Sequence, residues 1–224
     1  MPSGPATDAM IDQLAGLPIP ASVLERDVLP ARIPGYQPRL LDELGAMGEV
    51  AWVGRGSLGR DDGRVVLLRP GREVLRPSGR ADGTDRPAGE RHDRIRKHLA
   101  RRGASFFREL HRAAGGGPDR EVLDALWDLV WAGEVTNDTF APLRALRWKR
   151  TARDRRPRPG RLTSLGPPEG QGRWSLVEPG DAAAVRSPTE RTHALSLALL
   201  ERHGVLTREA VASESVDGGF AAIY

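Results

Sequence analysis

The run DREVLDALWDLVWAGEVTNDTFAPLRALR occupies residues 119–147, and the spacing within it sets the architecture. Val122, Leu123, Leu126, Leu129 and Val130 recur at the i, i+3, i+4, i+7 spacing that turns one face of a helix toward a core. Asp119 reads as the N-cap. Gly133 can take the left-handed conformation that stops a helix, so Glu134-Val135-Thr136 reads as a short strand and Asn137-Asp138 as the turn after it. Trp127 and Trp131, one turn apart on the apolar helix, are expected in the core.

An earlier stretch ends the same way. Glu43-Leu44-Gly45-Ala46-Met47-Gly48-Glu49-Val50 lies over Asp128-Leu129-Val130-Trp131-Ala132-Gly133-Glu134-Val135 with Leu, Gly, Glu and Val in register. Each stretch follows shorter amphipathic helices, so the repeat reads as helix, helix, helix and then a β-ribbon, the winged-helix plan. The alternative on pattern alone is a helical bundle with incidental hairpins. The expected class is α+β, mainly α: tandem winged helices with short hairpin wings.

Five segments follow. Residues 1–70 form winged helix A, with strands at 49–53 and 64–69 joined by the glycine-rich wing GRGSLGRDDG. Residues 71–89, rich in Arg, Gly, Pro and Asp, read as a linker. Residues 90–147 form winged helix B, in which Ser105 caps a helix that turns Phe106, Phe107 and Leu110 toward the core. Residues 148–187 are a basic, Pro/Gly-rich connector with a possible strand at Gly172-Arg173-Trp174-Ser175-Leu176-Val177. Residues 188–224 open winged helix C, with Thr189 and Thr207 as caps, and the chain stops before that unit's last helix and ribbon. The expectation is therefore a piece of a longer protein.

Composition narrows the chemistry. There is no cysteine among the 224 residues, which removes disulfides and thiolate metal sites and fits a reducing compartment. The longest apolar runs, such as 194–200, are too short to cross a bilayer, and residues 1–15 lack the pattern of an export signal. His92, His98, His111, His193 and His203 fall in no metal-ligand spacing, so no metal is expected. Gly54-Arg55-Gly56-Ser57-Leu58-Gly59 matches G-x-G-x-x-G, but a strand rather than a helix follows it, so its glycines read as turn residues and not as a phosphate cradle. No P-loop and no G-x-S-x-G elbow is present; neither a catalytic residue nor a cofactor is assigned to this chain.

Charge is the remaining signal. Lys and Arg number 34 against 30 Asp and Glu, the pI is near 10.2, and arginine supplies all but Lys97 and Lys149 of the basic residues. Residues 144–161 hold nine basic side chains against Asp154 alone. The third helices carry acids instead, Asp42 and Glu43 in one and Asp119, Glu121, Asp124 and Asp128 in the other, and would repel a phosphate backbone. The candidate nucleic-acid contacts are therefore Arg55, Arg60 and Arg64 on the first wing and Arg147, Lys149, Arg150, Arg153, Arg155, Arg156 and Arg158 in the basic run. Trp148 and Trp174 are candidates to stack on unpaired bases. A solvated arginine-rich connector is the bland alternative.

Trp127-Asp128-Leu129-Val130-Trp131-Ala132-Gly133 leading into Thr136-Asn137-Asp138-Thr139-Phe140-Ala141-Pro142-Leu143-Arg144-Ala145-Leu146 resembles the C-terminal region of the Lhr (large helicase-related) family. Gly172 to Leu176, Pro188-Thr189-Glu190-Arg191, Leu206 to Ala210 and Gly218-Gly219-Phe220 extend the resemblance in the same order. It implies a bacterial, cytoplasmic, nucleoid-associated parent: an ATP-dependent 3′-to-5′ DNA helicase linked to DNA repair and active on RNA:DNA hybrids. ATP and Mg would sit in upstream motor lobes absent from this chain. The expected partners are single-stranded or forked DNA, RNA:DNA hybrid and those motor lobes, with no membrane. A winged-helix glycosylase-like repair module and a protein-interaction scaffold are the competing readings.

Overall fold

A computed structural model describes residues 5–77, 86–147, 166–177, 187–214, 216 and 218–223. The first unit runs α1 (Pro5–Leu14), β1 (Ile19–Pro20), α2 (Ala21–Val23), a π-helical stretch (Leu24–Val28), α3 (Leu29–Arg32), α4 (Pro38–Ala46), β2 (Ala51–Ser57) and β3 (Gly63–Leu68). The second runs α5 (Glu90–Arg102), β4 (Ser105–Phe106), α6 (Phe107–Ala113), α7 (Asp119–Trp131), β5 (Val135–Asn137), α8 (Ala141–Arg147) and β6 (Arg173–Leu176). The last strand of each unit is central: one sheet is ordered β1-β3-β2 and the other β4-β6-β5, with every pair antiparallel. Each unit is a winged helix, and the class is α+β, mainly α.

The repeat seen in the sequence recurs bond by bond. After α4, Met47 N–H donates to Glu43 O at 3.0 Å, Gly48 to Gly45 O at 2.9 Å and Glu49 to Leu44 O at 2.9 Å. After α7, Ala132 donates to Asp128 O at 3.0 Å, Gly133 to Val130 O at 2.9 Å and Glu134 to Leu129 O at 2.9 Å. Gly48 and Gly133 sit at φ 75° and 73°, the left-handed geometry that lets the chain turn back on the last carbonyls of the helix and leave along a strand.

Several local expectations change. Pro118, not Asp119, is the N-cap of α7, and Asp119 instead pairs with Arg108 at 3.1 Å. Ser187, not Thr189, caps α9 (Pro188–His203), in a capping box with Glu190. Thr207 does cap α10 (Arg208–Ser213), accepting from Ala210 N–H at 3.1 Å. The chain passes Pro30 without a break, the π-helical turn Leu24–Val28 running directly into α3, which ends at Arg32.

The strand anticipated in the connector is β6, which pairs with β4 on one side and β5 on the other. The chain leaves β5 through α8 and comes back as β6, so the second unit does not end at Arg147 but extends to Leu176. The basic run itself, with Trp148, Lys149, Arg150, Arg153, Arg155, Arg156 and Arg158, lies outside the described residues.

One continuous core runs through both units, from Ile11, Leu41 and Trp52 to Leu126, Phe140 and Trp174. Two glycines of the first wing serve that junction and not a turn. A methyl on Gly54 would overlap the Val130 carbonyl, and one on Gly63 would overlap the Trp131 ring. Gly45 is as constrained, its Cβ position lying 2.5 Å from Asp138 O. The outer face of the first sheet, Val53, Val66 and Leu68, packs with Ala15, Leu75 and Ala198 of α9. Arg202 fixes α9 there, donating to Ala15 O at 2.8 Å and Gln13 O at 3.2 Å while pairing with Glu214 at 2.6 Å.

Candidate nucleic-acid interface

The block Asn137-Asp138-Thr139-Phe140-Ala141-Pro142-Leu143-Arg144 forms the seam between the units. Trp52 Nε1 donates to Thr139 O at 3.0 Å, Thr136 Oγ1 donates to Trp52 O, and the Trp52 and Phe140 rings lie 5.9 Å apart. Phe140 N–H donates to Asp42 Oδ1 at 2.8 Å. Arg144 reaches back to Asp42 and to Glu25 Oε1, the latter at 2.8 Å, and Tyr36 donates to the same Glu25 oxygen at 3.0 Å. Burial opposes the Arg144 charge, but the bond to Glu25 and the two carboxylate charges outweigh it and hold its pKa above the usual value. Burial, and then the Glu25 charge, push the Tyr36 phenol up.

The acids of the third helices are matched locally. Asp42 belongs to the seam, Glu43 pairs with Arg39, Glu121 with Arg91, Asp124 with Arg120, and Asp128 meets His92 at 3.0 Å. Neither α4 nor α7 presents a row of cations, so neither is suited to enter a groove by attraction to phosphate.

The wings present cations instead. Arg60 is exposed in the turn between β2 and β3, and Arg64 is half-exposed on β3, opposite Pro20. That turn is held by Leu58 N–H donating to Asp62 O at 2.8 Å, while Asp62 Oδ1 accepts from Ser22 N–H at 3.2 Å. Arg147, exposed at the end of α8, approaches the same helical stretch, where its charge lends a minor part to the low pKa that the Arg26 hydrogen bond gives Asp27. Arg55 lines a small cleft with Val53, Gly54, Arg76 and the Trp131-Ala132-Gly133 end of α7. Burial, and then the nearby Arg55 charge, lower the Arg76 pKa. Arg76 was not singled out in the sequence.

The two aromatic expectations exchange places. Trp174 is fully buried, its indole donating to Gly170 O at 3.0 Å and set edge-on to Trp127, so it is not available to stack on a base. Phe106, expected in the core, is 55% exposed. Strand alternation gives the reason: Trp174 pairs with inward Ser105, and Phe106 pairs with outward Arg173. Phe107 and Leu110 are buried as expected.

Among the described residues no helix is long and apolar enough to cross a membrane, and no group of three His, Asp or Glu is placed to hold a metal ion. Two family models, each described as large helicase-related protein, winged-helix domain, match residues 3–70 and residues 185–224. Over 230 residues, 96% of the chain, the sequence is 41% identical to a Mycolicibacterium smegmatis (strain ATCC 700084 / mc(2)155) protein named Lhr helicase/probable uracil glycosylase. Over 235 residues, 94% of the chain, it is 39% identical to Lhr helicase/uracil glycosylase of Escherichia coli (strain K12). The chain spans 15% of the length of either relative. With its winged-helix units and this likeness along nearly all its length, the chain belongs to the Lhr, large helicase-related, family, as part of the C-terminal winged-helix region.

Proposed function

We propose that this chain is the nucleic-acid-holding segment of an Lhr-type ATP-dependent 3′-to-5′ DNA helicase acting in DNA repair. On this reading the two winged helices, 1–70 and about 90–177, grip single-stranded or forked DNA, or an RNA:DNA hybrid, through its phosphates while motor lobes elsewhere in the protein supply ATP and Mg chemistry. The observation that carries the reading is the sorting of charge: the carboxylates of α4 and α7 have cationic partners, whereas Arg60, Arg64 and Arg147 stand at the surface of the wings. The sequence between β5 and β6 also contains the basic run, Lys149 to Arg158. Arginine suits this task because its forked guanidinium remains charged and pairs with phosphate oxygens.

Binding of labelled single-stranded, forked and hybrid substrates across a salt series tests it. Contacts to phosphate give an affinity that falls steeply with salt. Replacing Arg153, Arg155 and Arg156 together by Ala is expected to lower the slope of log K against log salt on single strands by about 2, at roughly 0.7 per lost phosphate contact, with equal losses on all base sequences. No binding, or binding indifferent to salt, would end the proposal. The names of both relatives favour uracil excision as a second reading; incubation with uracil-containing DNA followed by alkali tests it, and uncut strands would dismiss it.

A further inference from the structure

We propose that the exposed edge of the second sheet, Phe106 together with Lys97, Arg101 and Arg102 at the end of α5, is a stacking platform for unpaired bases of a single-stranded nucleic acid. The proposal rests on the nucleic-acid reading above and adds a site that lies on neither wing.

The geometry begins with the two-residue strand β4. Ser105 is buried against Trp174, its Oγ 3.1 Å from His98 Nε2, which holds the last turns of α5 beside the strand. Alternation then turns Phe106 outward at the free edge of the sheet, opposite Arg173. Arg173 is itself exposed and is steadied by Asp138, which accepts from its Nε and its backbone N–H, both at 2.8 Å. Phe106 thus stands opposite Arg173 across the strand pair, with its own N–H donating to Glu109 Oε2 at 2.9 Å and with Arg101 and Arg102 just upstream in the chain.

Charge along α5 is segregated. In the first half Arg91 pairs with Glu121, Arg94 with Glu90, and Arg96 with Asp93 and Glu134. In the second half Lys97, Arg101 and Arg102 are exposed, and among the described residues none of them forms an ion pair. The helix dipole accounts for cations in a last turn. It does not account for a large ring left in water a short way along the chain from them.

Two observations favour a polyanion carrying flat apolar groups over a protein partner. The apolar surface is one side chain deep, far from the roughly 800 Å² per partner of a stable protein interface, and the exposed cations Arg101 and Arg102 lie just upstream of it in the chain. A base laid on Phe106 covers the ring, while the adjoining phosphates meet Lys97, Arg101 and Arg102; stacking of this kind tolerates any base because each has a π-face. The corresponding position of the first unit holds Pro20, paired with Arg64, so the platform belongs to the second unit.

The test uses the full chain, a labelled oligothymidylate and a duplex of the same length, with F106A, F106W and R101A/R102A variants checked for unchanged thermal unfolding. F106A is expected to weaken single-strand binding roughly 5- to 150-fold, leaving the salt slope and the duplex affinity in place. F106W should retain the affinity of the parent chain. R101A/R102A should reduce the salt slope on single strands by about 1.4. If the parent chain binds and F106A binds equally well, the platform is wrong while the wing reading stands. Equal loss on duplex and single strand also rejects stacking. If the parent chain binds neither, both readings fall together.

Discussion

The two winged helices share strand order and helix endings but use the same positions differently. Superposing their strand registers sets Val65 against Trp174, Ile19 against Ser105 and Gly54 against Asn137. In the first unit Gly54 leaves room for the end of α7 to lie directly on the wing. In the second, Asn137 is buried and locks its own turn: its Oδ1 accepts from Thr139 N–H at 2.9 Å and from Thr139 Oγ1 at 3.1 Å, and its Nδ2 donates to Gln171 O at 2.9 Å. The first wing is thereby committed to the junction, whereas the strand end in the second unit is committed to its own turn. Helix endings recur because both copies need the same reversal; strand positions diverge because each copy has a different neighbour.

The central strands offer the largest expected contrast. Trp174 fills the second unit against Trp127 and Ser105, and Trp174→Ala is expected to cost about 3–5 kcal/mol, as removal of a buried aromatic does. Val65→Ala removes only two methyl groups at the matching position, and its transfer cost is about 1.6 kcal/mol at ~0.8 per carbon. Urea midpoints with unchanged m-values would measure both. Equal costs would mean that Trp174 is not the second unit's central packing residue.

A smaller contrast separates the two glutamates that follow the helix-ending glycines. Glu134 accepts two bonds from Arg96, at 2.6 and 3.1 Å, and further bonds from Arg86 at 3.3 Å. Burial opposes its ionisation, but the bonds from Arg96 and Arg86 prevail and lower its pKa. Its contribution to stability is therefore full above the unfolded carboxyl pKa of about 4.3 and is lost as pH falls through the lower folded value. Glu49 forms no ion pair among the described residues. At neutral pH, Glu134→Gln should cost about 1–2 kcal/mol, the scale of a charge-assisted hydrogen bond, and should flatten the acid loss of stability, whereas Glu49→Gln should do neither. Denaturant titrations at pH 7 and pH 3 distinguish the two; parallel behaviour of both variants would break the contrast.

What could be read from the sequence follows the range of the interaction. The ends of α4 and α7 were legible because periodic apolar residues, a glycine and a short strand all lie within one local segment. The outward turn of Phe106 was not, because a two-residue strand carries no measurable alternation and its facing is set by Arg173 and Trp174 far downstream. The same distance hid the true end of the second unit: nothing near Arg147 announces that β6 returns to pair with β5. Gly54 and Gly63 read as turn glycines because the backbone and ring that press on them come from α7. Arg96 and Arg101 look alike in the sequence of α5, and only the tertiary position of Glu134 separates the paired cation from the exposed one.

The finest contrast lies at the glycines themselves. Gly48 and Gly133 have nearly the same positive φ, so alanine at either incurs the left-handed penalty of about 1–2 kcal/mol. Their surroundings differ: a Cβ on Gly48 would stand in open space, whereas one on Gly133 would meet Gly54 O at 3.1 Å and Val53 Cγ1 at 3.5 Å. Gly133→Ala must therefore move the first wing slightly as well as strain its own backbone, and it should be the more destabilising by several tenths of a kcal/mol, less than the roughly 1–3 kcal/mol of full overpacking because the contact is only slightly too close. Because that excess acts between units, it should shrink in a Gly133→Ala chain whose seam is already loosened by Arg144→Ala, while the cost of Gly48→Ala stays constant. A double-mutant cycle reads this difference directly. Equal and additive costs at both glycines would show that the helix endings are independent of the junction, and that the close approach of Gly54 to α7 adds nothing to it.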